Sequence, residues 1–289
     1  METVACLICK ATACRPSYYK NGHQLYRCQK CSLGFVWPRP DNLDSIYRQD
    51  YFYNRGIKKH GYTDYEQDKE PMRSVFVRYL AIFAAHTEGR TIFDVGAATG
   101  YFLDIAREQG WQTSGIEISS YAAAAASGKG HDVVCGLLPS MNFEKKISVV
   151  TMWDVLEHVD DPHLYMRAVN NLLPVGGLLA VNTVDQGSLW ARVWGSRWHL
   201  IVPPEHLFYY TRKNLELLLR QNGFTIITVK KIGKRFSLAY IFTILHNWQG
   251  LRLWLILARY FQRPWWRKFG IPINLRDNIF ILAQKITEK

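Results

Sequence analysis

Thr91-Ile92-Phe93-Asp94-Val95-Gly96-Ala97-Ala98-Thr99-Gly100 is the stretch on which the reading of this chain turns. Its first half is β-branched and apolar, the composition of a strand buried on both faces of a parallel sheet. Small residues follow, and then residues 101–109 run with helical character up to Gly110. Strand, small-residue turn and helix make the first βα unit of a doubly wound α/β fold, where ligands sit at the carboxyl ends of the strands. Glycine in such a turn lets the backbone approach a ligand closely. The next strand, 112–116, ends at Glu117, about where an acid that grips a ribose belongs.

A dinucleotide site needs Gly-x-Gly-x-x-Gly, so that a helix N-terminus meets the pyrophosphate. That spacing is absent. Asp94 instead stands at the end of the strand, where a carboxylate repels a pyrophosphate but suits the cationic methionine end of S-adenosylmethionine. Further along, 148–153 reads as the fourth strand, 162–173 as a helix and 178–183 as the fifth strand. A helix at 213–222 and a sixth strand at 223–230 follow, and 277–284 is a late apolar strand.

Upstream, Cys6-x2-Cys9 is followed by Cys28-x2-Cys31. Two such knuckles present four thiolates, a closed tetrahedral donor set of the structural zinc kind. Residues 1–40 are too few to bury a core, so the metal would supply much of their folding free energy. Cys14 reads as a spare, and His23 as a weaker alternative ligand. The segment 41–88 reads as a mostly helical linker or lid, with tyrosines between 47 and 65 suited to covering a pocket or to packing the ribbon on the main domain.

Four stretches, taken with the ribbon, resemble the class I methyltransferases, specifically those pairing a four-cysteine ribbon with a domain like the ubiquinone-biosynthesis O-methyltransferases. They begin at Asp94, at Gly115 (Gly-Ile-Glu-Ile-Ser), at Asp154 (Asp-Val-Leu-Glu-His-Val-Asp-Asp-Pro) and at Leu173 (Leu-Pro-Val-Gly-Gly). The resemblance implies a Rossmann-like domain over 89–289, with a mostly parallel seven-stranded sheet and an antiparallel last strand. By that resemblance Asp94, Gly96, Ala97 and Gly100 line the methionine side of S-adenosylmethionine, whose product is S-adenosylhomocysteine. Glu117 holds the ribose hydroxyls, Ile118 packs on adenine, Leu137 and Leu138 border it, and Asp154 and Val155 face the sulfonium. Two departures stand out. Ala98 replaces the usual central glycine of the turn, and leucine replaces the acid often found after the third strand.

Methyl transfer to a hydroxyl also needs a proton acceptor. His206, in the stretch after the fifth strand, is the preferred base, with His158 the other candidate. Glu157 and Glu205 could help to hold a metal. Base-amine methyltransferases carry Asn or Asp followed by Pro-Pro after the fourth strand, and Asp154-Val155-Leu156 departs from that. A hydroxyl, and after it a carbon, of a sugar, glycan precursor, lipid or quinone is the expected acceptor.

The formal charge of +12 on 289 residues calls for an anionic partner, and 48% hydrophobic content excludes a disordered chain. Much of the charge falls at 235–272, interleaved with tryptophan and leucine. Arg252, Arg259 and Arg263 share one helical stripe there. This amphipathic insertion suits a lid over the acceptor or a dimer surface, and it suits a peripheral contact with anionic lipid. An RNA methyltransferase using ribbon and basic surface is the alternative, though nucleic acid fits less well because the cations are mixed with bulky apolar residues. Met1-Glu2-Thr3 opens without a cleavable signal, so a cytoplasmic protein, peripheral at the membrane if the insertion binds lipid, is expected.

Overall fold

The computed structural model describes residues 4–40, 66, 69–140, 147–266 and 270–286. The tyrosine-rich arm expected between 47 and 65 lies outside the described residues. Three short strands come first, β1 (Cys14–Lys20), β2 (His23–Cys28) and β3 (Gly34–Val36), paired antiparallel in that order. A 3₁₀ turn, Glu70–Met72, leads into α1 (Arg73–Ala84). Strands and helices then alternate through β4 (Thr91–Val95), α2 (Tyr101–Glu108), β5 (Gln112–Glu117), α3 (Ser120–Gly128) and β6 (Asp132–Cys135). They continue with β7 (Val149–Trp153), α4 (Pro162–Leu172) and β8 (Leu178–Val184). Next come α5 (Leu189–Trp194), the two-residue β9 (Phe208–Tyr209), α6 (Arg212–Gln221) and β10 (Phe224–Ser237). The helices α7 (Leu238–Gln249) and α8 (Arg252–Phe261) precede β11 (Gly270–Lys285).

Local chemistry explains the helix starts. Asp161 caps α4 by accepting from the His163 and Leu164 amides, with Pro162 in the first turn. Thr211 and Asn214 form a reciprocal capping box on α6. Ser119 and Ser237 cap α3 and α7 in the same way, each accepting from the amide three residues on.

The main sheet has seven strands in the order β10-β11-β8-β7-β4-β5-β6. Strands β4 to β8 run parallel, and β11 lies antiparallel between β8 and β10. This is the Rossmann-like methyltransferase architecture expected from the sequence. Chain order reverses between β4 and β7, which makes their carboxyl ends the natural ligand crevice. One buried layer lies under α1 and α2, where Trp153 packs against Phe76 at 5.3 Å and Phe102 at 5.2 Å, and Tyr79 stacks on Phe280 at 4.3 Å. The other lies under α4 and α6 and runs without a break into the N-terminal strands through Leu25, Leu33 and Phe35. The junction is also hydrogen-bonded, because β3 pairs antiparallel with β9, Phe35 opposite Phe208.

The last two strands are longer than 223–230 and 277–284. On the N-terminal side of Asn278, β11 no longer pairs with β8 and pairs only with β10, so the two form a ribbon past the carboxyl edge of the sheet. Gly233 and Pro272 look like strand breakers in the sequence. A bulge between Ile232 and Lys234 absorbs the first, and the second sits where β11 has lost its β8 neighbour. Among the described residues no helix is long and apolar enough to cross a membrane.

Candidate active site

The turn after β4 is folded against its neighbours rather than open. Gly96 and Ala97 both donate their amides to the Ile116 carbonyl of β5. Gly96 has φ of 75°, and a Cβ there would stand 2.6 Å from a Val155 methyl. On Gly115 a Cβ would meet the Asp94 carbonyl at 2.7 Å. The turn, β5 and the loop after β7 therefore touch through backbone, which is what these two glycines are for. Ala98 also has positive φ, 49°. The glycine usual at this point would relieve that, so the departure seen in the sequence carries a local strain.

Glu117 is buried, and its two oxygens accept from the Ala98 and Ser119 amides, each at 2.9 Å. Burial raises its pKa above the ordinary carboxylate range, against the pull of those amides. Asp94 is buried as well and accepts from the Thr151 hydroxyl of β7. Its pKa is raised well above the usual value, first by burial and partly by the nearby Glu117. Asp154, at φ 56°, accepts from the Asn182 side-chain amide at 2.6 Å and has the Lys69 ammonium 3.8 Å away. Ala97 and Gly100 are buried in the turn, and Ile118 and Val155 are half-buried beside it. Leu137 is exposed, whereas Leu138 is part of the core under α4. The structure thus gathers Asp94, Gly96, Ala97, Gly100, Glu117, Asp154 and Val155 at the carboxyl ends of β4, β5 and β7, with Leu138 buried in the core cluster against which Val155 packs.

A second group forms at the same edge. Glu157, His158 and His206 each offer a donor atom within 4.8 Å of the others. The two imidazoles meet edge-on, 4.7 Å between centroids at 83°. His158 Nδ1 lies 2.7 Å from the Glu205 carbonyl and His206 Nδ1 lies 2.8 Å from the Leu200 carbonyl. A carbonyl only accepts, so each neutral ring carries its proton on Nδ1 and its lone pair on Nε2. That tautomer serves a general base or a metal ligand. The buried Glu157 accepts from the Thr183 hydroxyl at 2.7 Å. Glu205 meets His158 through its main-chain carbonyl. Asn182 and Thr183 are neighbours on β8 and point to opposite faces, so Asp154 and Glu157 are held on the two sides of one strand.

The cluster is fastened to the N-terminal strands. The Glu157 carbonyl accepts from Leu207 and Phe208, the Leu207 carbonyl accepts from Val36, and Asn214 donates to the Cys31 carbonyl. This bracing was not legible in the sequence, because β9 is only two residues long.

At the other end of those strands Cys6, Cys9, Cys28 and Cys31 converge, all four sulfurs within 4.8 Å. The Cys6–Cys31 and Cys9–Cys28 sulfurs are 3.5 and 3.4 Å apart. Four thiolates at about 2.3 Å from a tetrahedral zinc would be roughly 3.8 Å apart, so a small adjustment fits the ion. The two knuckles repeat each other. Lys10 and Ser32 both have left-handed φ, 58° and 63°, and donate to the carbonyls of Cys6 and Cys28. Hydrogen bonding from Cys31 draws the Cys6 thiol down to about 5, whereas burial and the neighbouring sulfurs push Cys14 up to about 12. Cys14 and His23 lie outside this donor group.

Comparison with known proteins agrees with this geometry. A family model described as a methyltransferase domain matches residues 66–229, more than half of the chain. The chain is 25% identical over 171 residues to a ubiquinone biosynthesis O-methyltransferase of Bradyrhizobium sp., covering 52% of this chain and 66% of the relative. It is 25% identical over 134 residues to the Idiomarina loihiensis protein of the same name, covering 43% and 55%. The chain therefore spans less than two thirds of either relative's length. Its fold resembles that of an S-adenosylmethionine-dependent methyltransferase from Archaeoglobus fulgidus, with TM-score 0.50, 17% identity and coverage of 74% of this chain and 94% of that one. With the strand order, the Asp94 turn and Glu117 in place, the chain belongs to the methyltransferase-domain family and has the fold of the class I S-adenosylmethionine-dependent enzymes.

Proposed function

We propose that this protein transfers a methyl group from S-adenosylmethionine to a hydroxyl of a small-molecule acceptor, with a carbon as the second choice of acceptor atom. The observation that carries the reading is the joint placement, at one sheet edge, of the Asp94–Glu117 crevice and two imidazoles whose Nδ1 atoms face backbone carbonyls. S-adenosylmethionine supplies a methyl on a sulfonium, a good leaving group that needs no activation. The protein must align the acceptor oxygen and remove its proton. Glu117, fixed by two backbone amides, is oriented to accept from ribose hydroxyls. The buried carboxyl group of Asp94 and the half-buried one of Asp154 suit the cationic methionine end. Ile118, half-buried, is read as the residue that packs on adenine, with Leu137 and the buried Leu138 bordering it. His206 Nε2, or His158 Nε2 beside it, takes the hydroxyl proton as the carbon–sulfur bond breaks and the oxygen–carbon bond forms. The names of the relatives support testing hydroxylated aromatic, quinone-like acceptors first.

We read the four-cysteine group as a structural zinc site. Its closed donor set leaves no position for chemistry, and its strands hold the loop that carries His206.

Calorimetric titration with S-adenosylmethionine and S-adenosylhomocysteine tests the cofactor. The expected result is binding that falls at least tenfold in Asp94→Asn or Glu117→Gln. His206→Gln should keep the cofactor affinity and lower kcat by about 10²–10⁴, the usual worth of a positioned base. A folded, zinc-containing protein that binds neither compound would overturn the proposal.

A further inference from the structure

The helical hairpin α7–α8 has an outer face on which several large apolar side chains are exposed among the described residues. Its inner face is well made. Phe242 of α7 stacks between Trp254 at 5.7 Å and Phe261 at 5.4 Å, and Ala258 is buried. The Trp254 indole donates to Gln249 at 2.8 Å, which closes the hairpin. On the outer face, Leu253, Ile256 and Tyr260 follow one another at helical spacing and stand exposed, with Ile256 at 65%. Trp265, just past the helix, is 64% exposed. Arg252, Arg259 and Arg263 form the next stripe, and all three are exposed. The helix therefore shows an apolar stripe and a cationic stripe side by side.

The surrounding sequence has one sign of charge. From Leu217 to Arg276 there is no Asp or Glu, while eleven Lys or Arg occur. The partner is thus anionic as well as apolar. Each helix is also short. At about 1.5 Å per residue neither reaches the roughly 20 residues that a span requires. A bilayer surface, entered to the depth of the side chains, meets all three conditions. A nucleic acid would satisfy the charge and leave Leu253, Ile256 and Trp265 in water.

The position of the hairpin adds direction. It stands on the two-stranded extension of β10 and β11 beyond the carboxyl edge, the edge that holds the crevice. That stalk is tied down. The Arg235 amide donates to the Met72 sulfur at 3.2 Å, and the Arg235 guanidinium donates to the Gly270 carbonyl at 2.8 Å. Two residues before Met72, Glu70 accepts from the Tyr101 hydroxyl at 2.7 Å, at the start of the helix that follows the Gly96–Gly100 turn. We propose that the α7–α8 hairpin is the docking surface of this protein for an anionic bilayer, held so that the carboxyl edge of the sheet and the membrane lie on the same side of the molecule.

Co-sedimentation of the full-length protein with vesicles tests this without any need for turnover. Vesicles of phosphatidylcholine alone are compared with vesicles that also contain phosphatidylglycerol, at low and high salt. Recovery with the anionic vesicles that falls with salt is expected. Each arginine removed in Arg252→Gln and Arg259→Gln should lower partitioning about fivefold, the equivalent of about 1 kcal/mol. Ile256→Ser with Trp265→Ser should lower it further, while S-adenosylmethionine binding and thermal melting stay unchanged. No recovery with anionic vesicles by folded protein overturns the proposal. So does equal recovery with neutral vesicles that the arginine variants do not alter. Light scattering in which Ile256→Ser with Trp265→Ser converts a dimer to a monomer, with vesicle recovery unaffected, would assign the face to a second copy instead. RNA retention lost in the arginine variants, without vesicle recovery, would assign the cations to nucleic acid. Cofactor calorimetry on the same samples keeps a failure here separate from a failure of the proposed reaction.

Discussion

The two additions to the sheet, the cysteine-bearing strands at one end of the chain and the helical hairpin near the other, use similar residues to opposite ends. Leu33 is 0% exposed and Phe35 4%, in a module that is too small to bury them alone. Leu253 of the hairpin is 56% exposed, although α8 is flanked by far more apolar sequence. The difference lies in what each was given to pack on. The first module has β9 as an added strand and a share of the core under α4 and α6. The hairpin projects on a two-stranded stalk past the edge of the sheet. Apolar content alone therefore says nothing about burial, and an exposed stripe beside a cationic one marks a surface that is kept for something else.

The comparison can be broken most forcefully at the cysteines. Cys28→Ser should abolish zinc retention, measured by metal analysis after gel filtration, and unfold the first module. An apparent metal free energy on the order of 10 kcal/mol or more stands behind such sites. Hydrogen exchange should then show lost protection in residues 14–36 and also around Leu207 and Phe208, which share their hydrogen bonds. Protection retained at Leu207 would show that the loop carrying His206 holds without the ribbon.

Leu33→Ala is the next largest, about 2–5 kcal/mol by chemical denaturation, because a fully buried leucine leaves a cavity. A smaller value would mean that the shared core is softer than its burial suggests.

Asp104 calibrates the main domain between these two additions. Burial alone would raise its pKa, but hydrogen bonds from His131 and Lys129 bring it below the ordinary value. A depressed carboxylate contributes stability above the unfolded pKa and loses it as pH falls through the folded one. Asp104→Ala should cost about 1–3 kcal/mol at neutral pH, and the gap to the parent should close below about pH 4. Denaturation curves across that range decide the matter, and a gap independent of pH would remove the ion network as its cause.

Ile256→Ala should change stability in solution by no more than about 0.5 kcal/mol, although leucine to alanine in the ribbon is several-fold more costly. A loss near that of Leu33→Ala would mean that the outer face of α8 is covered in solution.

How far the sequence could be read depended on how local each feature is. The Asp94 turn and Glu117 were legible because strand, turn and helix succeed one another within one βα unit, and the two Cys-x2-Cys knuckles carry their spacing on their face. Ala98 was recognisable as a departure, but its φ of 49° was not. The two histidines were each visible as candidates. Their edge-on contact, and the proton placement imposed by the Glu205 and Leu200 carbonyls, were not. Glu157 and Glu205 looked equivalent as possible ligands, yet it is Glu157 whose carboxylate joins the two imidazoles, while Glu205 meets His158 through its backbone carbonyl. The ends of β10 and β11 were missed because their ladder runs on past the apolar stretches, across a bulge between Ile232 and Lys234 and on to residues where β11 pairs with β10 alone.

By itself the sequence determined the alternation of buried strands and amphipathic helices, the small-residue turn and the cysteine donor set. Each of these is written in periodicity or spacing over a few residues, where backbone sterics and hydrogen bonding leave little choice. Only the tertiary structure decided that β3 would pair with β9, that Glu157, His158 and His206 would meet, and that the basic hairpin would stand on the edge that holds the crevice. Those outcomes depend on which distant surfaces exclude water from each other, and packing between remote segments has no period to read.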